Sequence, residues 1–286
     1  MLKLTVITAT YNVVKAGRAE MLKRCITSVA KLNTPHEHLI MDGASTDGTV
    51  DILKSMEREN DGVRVVSEPD TGLYNALNKG VRIANGKWIY VLGCDDYVFA
   101  PKVMDEVMEE ADKTDADMVL SPVHRSDNIQ PFRSFEDFRC ILTIMPYSHQ
   151  GVLMTRMLVD RVGGFNEDFK ICADFALCLN AHMADAKQLI IWKEYAYFEA
   201  GGMSTYSEKA HHDWVHVTAC ALGLNDREEE LLYRKKLLPI RKVLPLLRHP
   251  SPVIRIGARH ALKRHVANVL GMIGDDGQPR KWFRKF

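Results

Sequence analysis

Over the first 121 residues, five short runs rich in apolar and β-branched side chains alternate with longer stretches whose apolar residues recur at three- and four-residue spacing. The runs are Leu2–Thr8, His38–Met41, Val63–Val66, Trp88–Leu92 and Asp117–Ser121. Between them, Ala19–Leu32 carries Leu22, Ile26, Val29 and Ala30 on one stripe, and the next stretch carries Val50, Leu53 and Met56. Leu73–Ala84 and Pro101–Ala111 supply two more helices. A two-residue period suits a strand and a 3.6-residue period a helix. Strands joined by helix-length crossovers pair in parallel, because a tight turn cannot return the chain to the same end of the sheet. The pattern predicts an α/β fold with a mostly parallel central sheet and helices on both faces. Right-handed crossovers then bring Thr8–Asn12, Asp42, Glu68–Asp70 and Asp95–Asp96 to one edge, where open α/β sheets gather ligands.

After Pro122 the pattern becomes irregular. Short β-like pieces at Ile129–Phe135, Gly151–Met154 and Gln188–Tyr197 stand among helices at Arg156–Val162 and Ala173–Ala184, and the chain reads as helical from Glu208 onward. A chain of 286 residues, 46% of them hydrophobic, suffices for one large domain with an appendage. Its near-neutral charge hides a division. Leu231–Phe286 holds 14 Lys/Arg against 2 Asp/Glu, and Met1–Glu230 holds 24 against 35. Six cysteines (Cys25, Cys94, Cys140, Cys172, Cys178, Cys220) lack zinc-site or disulfide-framework spacing and read as reduced thiols, which suits the cytoplasm. Neither a signal peptide nor a membrane-spanning run is expected.

The chemistry concentrates at the strand ends. Lys87-Trp-Ile-Tyr-Val-Leu-Gly-Cys-Asp-Asp96 is an apolar strand that delivers two carboxylates to the sheet edge. Clustered Asp oxygens there suit Mg²⁺ or Mn²⁺ touching a phosphate; a solvated turn is the plainer alternative. In Thr8-Ala-Thr-Tyr-Asn12, small residues and a flat ring leave room for a base and ribose. Asp42, at the end of the second strand, can accept from a ribose hydroxyl or a base N–H. Ser45 and Asp47 in Asp42-Gly-Ala-Ser-Thr-Asp-Gly-Thr49 read as turn plus helix cap. A Gly-x-Gly-x-x-Gly fingerprint and a Gly-Lys-Ser/Thr phosphate loop are both missing, which argues against nicotinamide enzymes and P-loop kinases.

Five blocks in order resemble family 2 of the inverting glycosyltransferases, over roughly Met1–Ser204. They are Thr8-Ala-Thr-Tyr-Asn12, Asp42–Thr49, Ser67-Glu-Pro-Asp-Thr-Gly-Leu-Tyr-Asn-Ala-Leu-Asn-Lys-Gly80, Ala84–Asp96, and Gly163-Gly-Phe-Asn-Glu-Asp-Phe-Lys-Ile-Cys-Ala-Asp174. The resemblance implies the GT-A nucleotide-diphospho-sugar fold, expected as a nucleotide-binding half at 1–121 and an acceptor half at 122–225; charge and apolar patterning add a basic amphipathic helical tail at 226–286. It implies that Thr8, Tyr11 and Asp42 line the nucleotide pocket, with Asp70 and Lys79 at its rim and Asp95 facing ribose or phosphate. It assigns the metal, Mn or Mg, to Asp96. The acid-x-acid motif of the family is here Cys94-Asp95-Asp96, so its first position supplies no hard oxygen ligand. Gly93 stands where relatives often carry Asn.

Asp174 is implied as the base that takes the acceptor hydroxyl's proton before displacement with inversion. Its plainer reading is a helix-start charge favourable to the dipole, and Glu167 and Asp168 are weaker substitutes. His149 and Gln150 are candidates for binding acceptor or diphosphate, or core residues; Gly201-Gly-Met-Ser204 is a candidate lid or a plain turn. His211 and His212 read as structural. The Gln-x-x-Arg-Trp motif and membrane helices of processive relatives are missing, which favours single-sugar addition.

The expected reaction moves one sugar, with a UDP-sugar as the expected donor, to a hydroxyl of a glycan or polyprenyl-linked acceptor in surface-polysaccharide assembly. The basic tail, ending Lys281-Trp-Phe-Arg-Lys-Phe286, suggests an anionic membrane surface at the cytoplasmic face in preference to nucleic acid. A helical appendage packed on the protein is the alternative. A sugar-nucleotide nucleotidyltransferase and a catalytically silent sugar-nucleotide-binding or tethering module are the rival functions.

Overall fold

The computed structural model of the chain describes residues 2–128, 132–201, 208–270, 272 and 278. The chain divides into two compact units assembled from alternating stretches: Met1–Pro131, Tyr147–Glu167 and Ala186–Gly202 form the first, and Phe132–Pro146, Asp168–Asp185 and Met203–Phe286 the second.

The first unit runs β1 (Leu4–Thr10), α1 (Ala19–Val29), β2 (His36–Asp42), α2 (Thr49–Glu59), β3 (Val63–Ser67), α3 (Leu73–Ile83) and β4 (Trp88–Val91). It continues with β5 (Tyr97–Val98), α4 (Pro101–Asp112), β6 (Met118–Leu120), β7 (His124–Arg125), β8 (Val152–Thr155), α5 (Arg156–Arg161), β9 (Gln188–Ile190) and β10 (Ala196–Phe198). Seven strands form a sheet in the order β3-β2-β1-β4-β8-β6-β9. The first four are mutually parallel; β8 runs antiparallel between β4 and β6, and β9 is parallel to β6. The order reverses at β1: the chain steps outward to β2 and β3, then crosses back to β4 on the other side. Open α/β sheets form a ligand crevice at such a reversal, which here falls between the loops after β1 and β4.

Strand alternation decides which helix covers which face. Leu4 and Val6 pack with Cys25 and Val29 of α1 and with Met104, Val107 and Met108 of α4. Leu22 and Ile26 of α1 meet Ile40, Leu53 and Met56. Ile7 and Met41 point the other way, toward α3, where a β-carbon on Gly80 would lie only 2.7 Å from Ile7 Cγ2. Complete burial of a Leu or Ile such as Leu22 or Ile26 contributes about 1.5–3 kcal/mol. At the amino end of the sheet, the buried Glu37 carboxylate accepts from Thr5 Oγ1, Asn85 N and Asn85 Nδ2, so this acid serves the fold.

Three short strands, β5-β10-β7, form a second sheet. The stretch Gln188–Tyr197, expected as one β-like piece, is therefore two strands in different sheets, parted by the segment around Trp192–Tyr195. Val98, Ala196 and Phe198 are buried on one side of the small sheet; Tyr97, Tyr197 and His124 pair in register across it.

The second unit contains α6 (Ala173–Met183), α7 (Glu208–Leu222), α8 (Asp226–Lys235), α9 (Ile240–Leu246) and α10 (Pro252–Val269). Helix α6 is buried nearly all round, from Ala173 to His182. Helix α10 lies so close to Ile141 and Leu142 that a β-carbon on Gly257 would meet Ile141 Cγ2 at 2.7 Å. Asn225 caps α8 in a reciprocal box with Glu228. Leu232, Leu237, Leu238, Val243 and Leu246 are buried, whereas Leu231, Ile240, Leu244, Val266, Val269 and Leu270 are exposed. Much of the tail's apolar content thus belongs to an interior. No described helix is long and apolar enough to cross a membrane. Residues 281–286, 129–131 and most of the Gly201–Ser204 loop lie outside the described residues.

Candidate active site

The loops following β1 and β2 are laced together. Asn12 N donates to Ser45 Oγ at 2.8 Å, Asn12 Oδ1 accepts from Thr46 N at 3.0 Å, and Val13 N donates to Thr49 Oγ1 at 2.9 Å. Asn12 itself is left-handed, with φ 47°, a conformation that Asn tolerates better than most residues. Of the two expected cap residues, Asp47 does accept from Thr49 N at the start of α2. Ser45 instead donates to Asp42 Oδ1 at 2.6 Å. Helix α2 starts only at Thr49, behind a left-handed Gly48, which leaves Ser45 too far upstream to cap it.

Asp42 is 2% exposed and saturated. Its Oδ1 accepts from Thr10 Oγ1 and Ser45 Oγ, its Oδ2 from Ser45 N and Ser67 Oγ. It ties together the ends of β1, β2 and β3. Thr8 is also buried. Its hydroxyl hydrogen goes to Leu92 O at 2.9 Å, stitching β1 to β4, so the 2.9 Å contact with His38 Nε2 requires the ring to donate. The proton therefore sits on Nε2, and burial, which pushes the His38 pKa down to about 3, keeps the ring neutral.

Tyr11 is 66% exposed and stands over Gly43 with Asp70. A β-carbon at Gly43 would lie 2.6 Å from Asp70 Oδ2 and 3.2 Å from Tyr11 Cδ2. An open backbone, an aromatic face and a carboxylate meet at this point. Lys79 Nζ donates to Pro69 O at 2.7 Å and pairs with Glu68 at 2.8 Å, holding the loop that carries Asp70.

Asp95 and Asp96 follow β4. A methyl group built on Gly93 would sit 2.6 Å from Asp96 Oδ2 and 3.0 Å from Asp95 Oδ1, so the two carboxylates converge on a cradle that only glycine leaves open. Asp96 is 2% exposed, with Gln150 Nε2 donating to Oδ2 at 2.7 Å and Glu199 N to Oδ1 at 2.9 Å. Burial, followed by the Asp95 charge, pushes its pKa up to about 6 against those hydrogen bonds. Gln150 is itself buried, and Tyr90 Oη donates to its carbonyl. His149 precedes it in a single 3₁₀ turn, where a protonated ring favours ionised Asp96.

Among the described residues no group of three or more His, Cys, Asp or Glu could hold a metal ion. The two carboxylate oxygens nearest Gly93 are nonetheless of the hard donor type that a divalent ion shared with phosphate and water oxygens would take.

Glu167 is fastened to α3: it accepts from Asn78 Nδ2 at 2.9 Å and from Asn75 Nδ2 at 3.0 Å, and these side-chain bonds hold its pKa below the usual Glu value. Asn78 Oδ1 accepts from Phe165 N in the same loop. Such a carboxylate is a poor base and a good latch. In the second unit, Asp174 occupies the first turn of α6 and accepts from Phe175 N at 2.8 Å. The residues before it are fixed by Asp213, whose Oδ2 accepts from Ile171 N and Cys172 N, both at 2.9 Å.

Two arginines not anticipated from the sequence reach Asp95: Arg18 Nη1 donates to Oδ2 at 2.9 Å and Arg24 Nη2 to the main-chain oxygen at 3.2 Å. A signal was present. A cation immediately before a helix opposes the helix dipole, so Arg18 breaks a local rule.

The family model for glycosyl transferase family 2 matches residues 5–168. The chain belongs to that family. It is 30% identical over 166 residues to the PGL/p-HBAD biosynthesis glycosyltransferase of Mycobacterium bovis, a match covering 55% of this chain and 62% of that protein. It is 28% identical over 171 residues to the hyaluronan synthase of Pasteurella multocida, covering 56% of this chain and 17% of the synthase. The chain thus spans less than two thirds of these relatives. The structure of S. aureus TarS 1–349 in complex with UDP-GlcNAc superposes with a TM-score of 0.64 at 16% identity, covering 98% of this chain and 97% of that one. The mannosyltransferase PcManGT from Pyrobaculum calidifontis, in complex with GDP-Man and Mn2+, gives 0.56 at 18% identity, covering 93% and 75%. The fold is that of GT-A glycosyltransferases.

Proposed function

We propose that the chain transfers one sugar from a nucleotide-diphospho-sugar to a hydroxyl of a glycan or lipid-linked acceptor, with inversion at the anomeric carbon. The observation that carries the reading is the convergence of Asp95 and Asp96 on Gly93 beside the crevice where the strand order reverses, in a chain of this family. Tyr11, Gly43 and Asp70 offer a face, an open backbone and an acceptor to the nucleoside. Asp42 and Thr8 keep those loops in place from within.

A divalent ion, Mn or Mg, would be held by Asp96 with Asp95 beside it and would neutralise charge on the departing diphosphate. Gln150 and Glu199 N orient Asp96 by hydrogen bonds to both oxygens. Asp174, at the position of the family's base, takes the proton of the acceptor hydroxyl so that it attacks as the diphosphate leaves. UDP is the proposed nucleotide, as in the TarS complex; GDP, as in PcManGT, is the rival. A membrane-borne acceptor at the cytoplasmic face is supported by the basic tail with its exposed Ile240, Leu244 and Val269.

Incubation with UDP-, GDP- and dTDP-sugars and Mn²⁺ tests the reading through release of the nucleoside diphosphate. Release from one sugar nucleotide is expected; none from any, in the presence of candidate acceptors, leaves only a binding module. Asp174→Asn should retain donor binding and lose transfer, and loss of both would make Asp174 a structural residue.

A further inference from the structure

The two arginines beside Asp95 have more donors than their protein partners use. Arg18 follows the β1 loop and reaches across the β1/β4 crevice with one N–H, its side chain 41% exposed. Arg24 lies farther along α1, 42% exposed, with one N–H on Asp95 O and Glu199 Oε2 at 3.8 Å. A guanidinium carries five N–H donors in a rigid fork suited to phosphate oxygens. Neither arginine is explained by the helix: Arg18 opposes the dipole, and exposed ion pairs add little stability.

Arg24 is also held in place. Its guanidinium lies over the Tyr97 ring at 4.1 Å, Tyr97 packs on Tyr197 at 4.8 Å, and Tyr197 stacks on His124 at 5.5 Å. These three rings are the registered row across the small sheet, so β5, β10 and β7 together buttress one cation at the carboxylate edge. A stacked guanidinium is aimed before any ligand arrives.

The charge balance calls for such cations. A nucleoside diphosphate approaching Asp95 and Asp96 meets two carboxylates, and Cys94 offers no hard oxygen to strengthen a metal site. The geometry points to Arg18 and Arg24 as a clamp for the donor's diphosphate that works without a divalent ion. This rests on the donor-site reading above and adds to it: the diphosphate is recognised by the arginines, and metal raises affinity without being required for binding.

The test is calorimetric titration of UDP and of uridine into the full chain, in EDTA and in Mn²⁺, for wild type, Arg18→Met, Arg24→Met and the double variant. Wild type is expected to bind UDP in EDTA within about tenfold of its affinity in Mn²⁺. The double variant should lose at least about tenfold in EDTA, the scale of one or two charge-assisted hydrogen bonds, while uridine binding is unchanged. Arg24→Lys, which keeps the charge without the planar stack, should fall between. Thermal unfolding midpoints check that the variants fold, and the single variants carry the comparison if the double one does not. UDP binding by wild type that requires Mn²⁺, or equal affinities of wild type and variants in EDTA, overturns the clamp. Failure of wild type to bind any nucleoside diphosphate in either condition would instead remove the donor-site reading beneath it.

Discussion

Replacing Asp96 by Asn should stabilise the protein, by an amount that depends on pH. Asp96 titrates at about 6 in the folded chain against an ordinary 3.8, chiefly because it is buried and secondarily because Asp95 is charged. The folded chain therefore holds the proton more tightly than the unfolded one. Stability is lost as pH rises from 3.8 through 6, and the full cost is carried above that. Roughly two pH units at about 1.4 kcal/mol each give about 3 kcal/mol at pH 8 and about 1 kcal/mol at pH 4.5, as orders of magnitude. The Asn hydrogen bonds need not be lost. Its Oδ1 can accept from Glu199 N, and its amide can donate to Gln150 Oε1, a buried atom without a partner, once the Gln150 amide turns over. Urea unfolding at both pH values, with the m-value as a check on two-state behaviour, measures the gain. A gain larger by about 2 kcal/mol at pH 8 than at pH 4.5 is expected. A gain independent of pH, or a loss at pH 8, would refute the claim that Asp96 is an ionised group held at a cost for function.

Three further outcomes follow from the same structure. His38, buried and neutral with a pKa of about 3, gives stability that is complete above 6.5 and lost as pH falls toward 3, by about 1.4 kcal/mol per unit; His38→Leu should flatten the acid limb of a pH-stability curve. Gly93→Ala meets no backbone strain, since Gly93 is not among the positive-φ residues, yet its methyl would crowd both carboxylates; about 1–3 kcal/mol of stability and most UDP affinity should go, read by thermal unfolding and calorimetry. Glu167→Ala releases the loop from Asn75 and Asn78 and should lower stability by about 1–3 kcal/mol, measured by urea unfolding.

The main-sheet strands and the helices through α4 were legible because apolar runs and helical spacing alternate clearly there, and the edge carrying Asp42, Asp70 and Asp95–Asp96 followed from the parallel connection rule. The small sheet was not legible. Tyr97–Val98 and His124–Arg125 are two residues long, too short for any alternation, and they pair only through contacts distant in sequence. Residue type marked the carboxylates without telling their jobs: Glu37 and Asp42 are saturated inside the fold, whereas Asp95 and Asp96 converge beside Gly93 with Asp95 only partly buried, a difference made by partners that no local pattern records. Gly93 and Arg18 were visible as departures from the expected motif and from helix-end charge preference. Their meaning needed coordinates.

Calorimetric titration of UDP in the presence of Mn²⁺ into wild type and Asp96→Asn bears most directly on the carboxylate edge as the donor site. One-to-one saturable binding to wild type, weakened severalfold and up to about tenfold in a stably folded variant, is the expected outcome. Equal affinities, or no binding of UDP or GDP to wild type, would show that the sugar donor is held elsewhere.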